Sequence, residues 1–228
     1  LLAVLQIVWF GVCITTFAES VDTAWVRRYN GPADSTDYAS AIAVDDSGYV
    51  YVTGYIFIGG SDYDYATIKY YPNGDTVWVR RYDGLDNGDD KAFHIAVDGS
   101  GNVCVTGYSH GTGTGDDYAT IKYQPDGDTA WVRRYNGSEN GDDRASPIAV
   151  DGSGCVYVAG RSRGSGTLDD YVTIKYHPDG DTAWVRRYNG PGNGDEYAAR
   201  IAVDNGSNVY VTGYSAGNGT ARDYATIK

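Results

Sequence analysis

GDTAWVRRYNG, residues 127–137, is written again unchanged at residues 180–190 and with two replacements at residues 74–84. The copies keep a fixed spacing. Trp25, Trp78, Trp131 and Trp184 recur every 53 residues, as do Ile42, Ile95, Ile148 and Ile201, and Ile68, Ile121, Ile174 and Ile227. No insertion breaks the register. A fixed period near 50 residues marks a stacked or radial array, in which each unit buries one face against the next. The question set by the repeat is what one unit looks like.

Within a period there are four strand-like runs. In the third copy they are AWVRRYN from Ala130, SPIAVDG from Ser146, CVYVAGRS from Cys155 and YVTIKYH from Tyr171. All are short, rich in β-branched and aromatic residues, and bounded by glycine and aspartate. Asp151-Gly152-Ser153-Gly154 is short enough to join an antiparallel pair, and Pro178-Asp179-Gly180-Asp181 leads the fourth run into the next Thr-Ala-Trp. Four antiparallel strands per 53 residues predict an all-β fold, a β-propeller of four-stranded antiparallel blades. The repeats are 21–74, 75–127, 128–180 and 181–228. The small, aliphatic IAVD and VYVTG runs suit the crowded axis, whereas the run with Trp, two Arg and Tyr needs room and solvent. The expected order is therefore A (IAVD), B (VYVTG), C (YATIKY) and D (TAWVRRY), from inside outwards. A D strand at Thr23 to Asn30 can complete the last blade and close a four-bladed ring; the preferred alternative is a fragment of a larger propeller.

Composition agrees with strands and tight turns: 31 Gly, 22 Tyr and 14% aromatic residues among 228. A net charge of −12 argues against nucleic acid as a partner, because phosphate binding needs a basic face. The first residues differ from the rest. LLAVLQIVWFGVC is an apolar run followed by Thr16-Phe17-Ala18, read as a signal peptide over 1–20 whose basic start is missing, with no membrane span in the mature chain. The expected location is secreted or at the cell surface. Cys104 and Cys155 occupy non-equivalent positions in neighbouring repeats, so free thiols are expected rather than a bridge.

The combination IAVDxSGNVYVTGYS followed by DYATIKYxPxGDTxWVRRYNG resembles the bacterial SBBP β-propeller repeat family, over residues 21 to 228. The resemblance implies a secreted or surface-exposed propeller, often one module of a larger protein, and carries no defined reaction or catalytic residue. The family name suggests seven blades; this chain supplies four.

Several motifs have a chemical look. Gly107-Tyr108-Ser109-His110-Gly111 fits the G-x-S-x-G nucleophile elbow, but no helix follows, and the pattern recurs at Ser162 and Ser215 as the exit from strand B. His94, His110 and His177 stand at different places in their repeats and form no pairing motif. In an antiparallel blade the B-to-C and D-to-A connections emerge on one face, which gathers many carboxylates. Asp89, Asp90, Asp142, Asp143 and Asp195 are candidate ligands for calcium, a hard cation that prefers oxygen; otherwise no cofactor is expected. The basic residues outside the repeated VRR and IK positions, Lys91, Arg144, Arg161, Arg163, Arg200 and Arg222, fall on the same face. With His94 they are the candidate ligand-binding residues. Tyr38, Tyr108, Tyr197 and Tyr214 near the channel mouth are suited to stacking on sugars. The expected function is a non-catalytic binding or structural module for a protein or glycan. The alternative is a propeller enzyme, a hydrolase or lyase acting on polysaccharide.

Overall fold

The computed structural model describes residues 22–60 and 62–228; the predicted signal peptide, 1–20, lies outside them. Fifteen strands and no helix occur among the described residues. The first sheet contains β1 (Asp37–Val44), β2 (Val50–Gly59), β3 (Asp62–Tyr70) and β4 (Thr76–Tyr82). The second contains β5 (Asp90–Val97), β6 (Val103–Gly111), β7 (Gly115–Tyr123) and β8 (Thr129–Tyr135), and the third β9 (Asp143–Val150), β10 (Val156–Arg163), β11 (Asp169–Tyr176) and β12 (Thr182–Tyr188). The fourth has three strands, β13 (Tyr197–Val203), β14 (Val209–Ala216) and β15 (Arg222–Ile227). Every sheet runs in sequence order with antiparallel pairing. Successive A strands, β1, β5, β9 and β13, pack side by side, as the inside-out order A to D requires. Each complete sheet takes three strands from one period and its outermost strand from the next.

The A-to-B hairpin is held by its aspartate. Asp98 Oδ1 accepts the N–H groups of Ser100 and Asn102, both at 2.9 Å, and Asp151 does the same for Ser153 and Cys155. Its second oxygen takes the Tyr157 hydroxyl at 2.8 Å, as Asp45 takes that of Tyr51. Where Cys104 stands in place of that tyrosine, Asn102 Nδ2 donates to Asp98 instead, at 2.7 Å. Cys104 and Cys155 are buried, and neither is paired among the described residues.

Each A strand carries a bulge where it leaves the B strand, between Ala92 and His94 in the second sheet and between Ala198 and Arg200 in the fourth. Opposite the bulge the backbones touch. A Cβ on Gly107 would lie 2.0 Å from the Lys91 carbonyl oxygen, so only glycine fits there.

Two contacts join the first sheet to the second and the second to the third. A buried C-strand tyrosine reaches across, Tyr65 donating its hydroxyl to the Ala119 carbonyl at 3.1 Å and Tyr118 to Val172 at 3.3 Å. At the outer edge Trp78 Nε1 donates to the Pro125 carbonyl at 3.1 Å and Trp131 to Pro178 at 3.0 Å. The first arginine of VRR follows the same path, Arg80 Nε meeting Gly127 O at 2.6 Å and Arg133 meeting Gly180 O at 2.7 Å. Around these locks lie aromatic and β-branched cores, such as Tyr51, Trp78, Val105 and Ile121.

The ring is not closed. Residues 23–30 form no strand and do not complete the fourth sheet, so the four-bladed ring that the sequence allowed is not formed, and the arrangement is that of an open propeller or a fragment of one, the reading preferred from the sequence. They lie on the first sheet, where Trp25 Nε1 donates to Pro72 O at 3.1 Å and Arg27 pairs with Asp75 at 3.2 Å. The same Trp-on-proline contact is made by Trp78 with Pro125 and by Trp131 with Pro178, so the segment packs on the first sheet as an outer strand packs on the sheet that follows it. The same packing step, taken three times from β1 to β13, does not bring β15 back beside it. The open face of the first sheet leaves Ile42 and Val44 exposed, and a groove of about 510 Å³ lined by Trp25, Tyr38 and Ile68 lies where other sheets meet a complete neighbour. No helix among the described residues is long and apolar enough to cross a membrane.

Candidate functional site

The starts of the A and C strands and the ends of the B strands place their side chains on one face. At β9, β10, β13, β14 and β15 this produces a cleft of about 360 Å³. Arg144 enters from β9, Arg161 from β10 and Arg222 from β15, with Tyr197 and Tyr214 on the side of the fourth sheet. Phe93 reaches in from β5. The two tyrosine rings stack, with centroids 5.7 Å apart, and the Arg222 guanidinium lies 4.3 Å over Tyr214. Stacking on an aromatic face is what a planar guanidinium does well.

Each arginine of the cleft has a carboxylate beside it. Arg161 Nη1 lies 2.5 Å from Asp169 Oδ2, and Arg144 lies 2.6 Å from Asp116 and 3.2 Å from Asp142. Arg222 stands 4.0 Å from Asp195. The lining therefore alternates fixed donors and acceptors between aromatic rings, and its charge is largely balanced. Such a surface suits a ligand with many hydroxyl groups more than an ion of either sign.

The structure brings Arg144, Arg161, Arg222 and Asp195 into this cleft and leaves the other candidates elsewhere. Lys91 sits at the junction of the first two sheets, on Asp89 at 2.5 Å and 4.6 Å from the Tyr63 ring. Arg163 turns to the other oxygen of Asp169, at 3.8 Å. His94 and Arg200 follow the bulges of their strands towards the axis, where Arg200 donates to its neighbouring Ala199 carbonyl at 2.7 Å. Burial and the nearby Arg200 charge push the His94 imidazole below its ordinary range. Phe93 is the cleft residue that the sequence did not single out; it occupies a bulge position where the other copies have Ser40, Ser146 and Ala199, and that departure is its only signal.

The candidate metal ligands divide in the same way. Asp89 is engaged by Lys91, Asp142 by Arg144, and Asp195 faces Arg222. Both oxygens of Asp143 accept backbone N–H groups, from Gly137 and from Arg163. Asp90 alone of the five lies in a cluster of three carboxylates among the described residues, with Asp64 and Asp83, their oxygens all within 4.8 Å of one another. Burial pushes the carboxyls of Asp64 and Asp90 up to about 6. Ser109, at the centre of the G-x-S-x-G pattern, ends a strand and is bound by Arg134; it is not on an elbow.

Two stretches of the chain, 24–58 and 183–219, match the SBBP family model, described as a β-propeller repeat. The regulatory protein FlaEY of Caulobacter vibrioides is 26% identical over 87% of this chain, and this chain spans 23% of that protein's length. Among solved structures, an exo-β-1,3-galactanase from Clostridium thermocellum aligns over 81% of this chain and 44% of its own, at 11% identity and a TM-score of 0.44. A family 43 β-xylosidase/α-arabinofuranosidase from a compost metagenome aligns over 83% of this chain and 74% of its own, at 13% identity and the same TM-score of 0.44.

Proposed function

We propose that this chain is a non-catalytic binding module of an exported or cell-surface protein, and that the cleft between the second, third and fourth sheets takes a glycan. The observation that supports the reading most directly is the convergence of Arg144, Arg161, Arg222, Tyr197 and Tyr214 on one cleft of about 360 Å³. The scaffold is uniform, yet the three arginines depart from it: Arg161 stands where the other copies have Tyr55, Tyr108 and Tyr214, Arg144 where they have Tyr38, Lys91 and Tyr197, and Arg222 where they have Tyr63, Asp116 and Asp169. Paired charges hold the guanidinium planes in place before a ligand arrives, so less rotamer freedom is lost on binding. Tyrosine supplies an apolar face for a sugar ring and a hydroxyl for its edge.

The enzyme alternative needs an acid and a base free to exchange protons with a substrate. In the cleft Asp169 is held by Arg161, and Glu196 is buried with one oxygen on Ser215 Oγ and the Ala216 N–H, at 3.2 and 3.1 Å. Asp195, the third carboxylate of the cleft, stands 4.0 Å from Arg222, so each of the three has a positioning neighbour.

Binding of the full chain to an array of bacterial and plant oligosaccharides, followed by calorimetry on any hit, tests the proposal. Arg161→Ala and Tyr214→Ala are expected to weaken a genuine cleft ligand at least about tenfold, the size of one good polar or stacking contact. Equal affinity in both variants, or release of a hydrolysis product during the titration, overturns it.

A further inference from the structure

We propose that the junction of the first and second sheets is a binding site for a hard divalent cation of the Ca²⁺ type, held by Asp64, Asp83 and Asp90. The three residues come from different places: Asp64 from the start of β3, Asp83 from the end of β4, and Asp90 from the first position of β5. Their oxygens lie within 4.8 Å of one another, the span across which a single ion with oxygen ligands at ~2.3–2.6 Å touches both. Asp64 and Asp90 are 1% and 0% exposed, whereas Asp83 faces solvent and offers a path of entry.

The arrangement is peculiar to this junction. At the start of each A strand a carboxylate closes the D-to-A loop by accepting a backbone N–H, as Asp90 Oδ2 does from Gly84 at 2.6 Å. Elsewhere the carboxylate also accepts the N–H of a residue at the end of strand B: Asp37 from Phe57 at 3.1 Å, Asp143 from Arg163 at 3.2 Å, and Glu196 from Ala216 at 3.1 Å. At Asp90 the equivalent N–H, that of His110, goes to the Asp89 carbonyl at 3.1 Å. Asp90 Oδ1 is buried and receives no backbone N–H, with only the Ser109 hydroxyl near enough to donate to this carboxylate, and Asp64 Oδ1 has no donor among the described residues. At the same junction Asp83 replaces the asparagine found at Asn30, Asn136 and Asn189. An extra carboxylate has been added where a buried oxygen has lost its backbone donor.

Charge counting points the same way. Arg81 Nε lies 2.8 Å from Asp64 Oδ2, and Arg134 is engaged by Asp117 at 2.9 Å. Three carboxylates with one guanidinium leave two negative charges, which a divalent ion neutralises. Buried like charges otherwise repel strongly. An all-carboxylate set with water completing the shell suits calcium or magnesium and not the softer transition metals.

The test is thermal unfolding of the full chain in millimolar CaCl₂ and in EDTA, together with emission from bound Tb³⁺ sensitised by the neighbouring Tyr65 and Tyr82. Calcium is expected to raise the unfolding midpoint by at least roughly 3 °C, because an ion that binds only the native state stabilises it. Asp83→Asn, which restores the side chain of the other copies, is expected to fold in EDTA and to lose both the shift and the Tb³⁺ emission. Asp86→Asn, in the same loop but outside the cluster, is expected to keep both. No shift in the unaltered chain, a shift that survives Asp83→Asn, or equal loss in Asp86→Asn overturns the proposal.

Discussion

The first and second blade junctions are built from the same repeat, yet they solve one problem in different ways. Both bury a C-strand aspartate against the second arginine of VRR. In the second sheet Arg134 reaches Asp117, Ser109 Oγ and the carbonyls of Ser109 and His110, and its side chain is 17% exposed. In the first sheet Ile56 stands where Ser109 would be, and Arg81, 47% exposed, pairs with Asp64 alone. The second junction balances its charge internally. The first does not, and it is the one that carries Asp83. A repeat scaffold can thus acquire a site through two replacements at one junction, leaving the fold of every copy intact.

The sharpest way to break this comparison is to remove the arginines. Arg134→Leu should lower the free energy of unfolding by about 3 kcal/mol, because Asp117 is then buried with only the Thr114 hydroxyl for a partner. Arg81→Leu should cost less, its single ion pair being half-exposed and screened, although Asp64 too is then left buried without its partner. Urea denaturation of both variants decides, and equal losses would show that the two junctions are electrostatically alike. A smaller effect should follow from transplanting the third carboxylate. Asn136→Asp is expected to destabilise the chain by about 1 kcal/mol without creating a calcium response, since Asp143 already has both oxygens hydrogen-bonded. A calcium-dependent rise in the melting temperature of Asn136→Asp, beyond that of the unaltered chain, would show that the added carboxylate is sufficient by itself.

The smallest effect concerns the inner end of the second sheet. His94 has a folded-state pKa below its ordinary value, so the folded chain binds its proton less well than the unfolded chain does. Its contribution to stability is therefore present above pH ~6.5 and is lost as the pH falls below that value. His94→Gln should flatten the corresponding part of a stability profile taken from pH 8 to 5. An unchanged profile would mean that Arg200 and burial do not act on the imidazole.

Much of the architecture could be read from the chain because it depends on local pattern. The period follows from Trp25, Trp78, Trp131 and Trp184, the hairpins from Asp-x-Ser-Gly turns, and the inside-out order from where the bulky and charged residues sit. Closure was left between a four-bladed ring and a fragment of a larger propeller, because it depends on the angle between successive sheets, which no alternation of apolar residues encodes. The face bearing the candidate residues was legible as a surplus of charge. Which charges meet was not: Arg144 and Arg222 are 78 residues apart in sequence and converge only through packing of the third sheet against the fourth. Asp83 was visible as a departure from Asn30, Asn136 and Asn189. Its meaning needed the geometry, since Asp64 and Asp90 meet only when strand C of one sheet faces strand A of the next.

The tryptophans of β4 and β8 are fastened to proline turns that lie 47 residues further along the chain, Trp78 to Pro125 and Trp131 to Pro178. During synthesis, therefore, no blade can latch its own rim when its last strand emerges. It waits for its successor's turn, roughly two to nine seconds later at ~5–20 residues per second. The latches then shut in order from the N-terminus, like a ratchet whose teeth engage one behind the growing end, and the unlatched rim at any moment is confined to the most recently made blade.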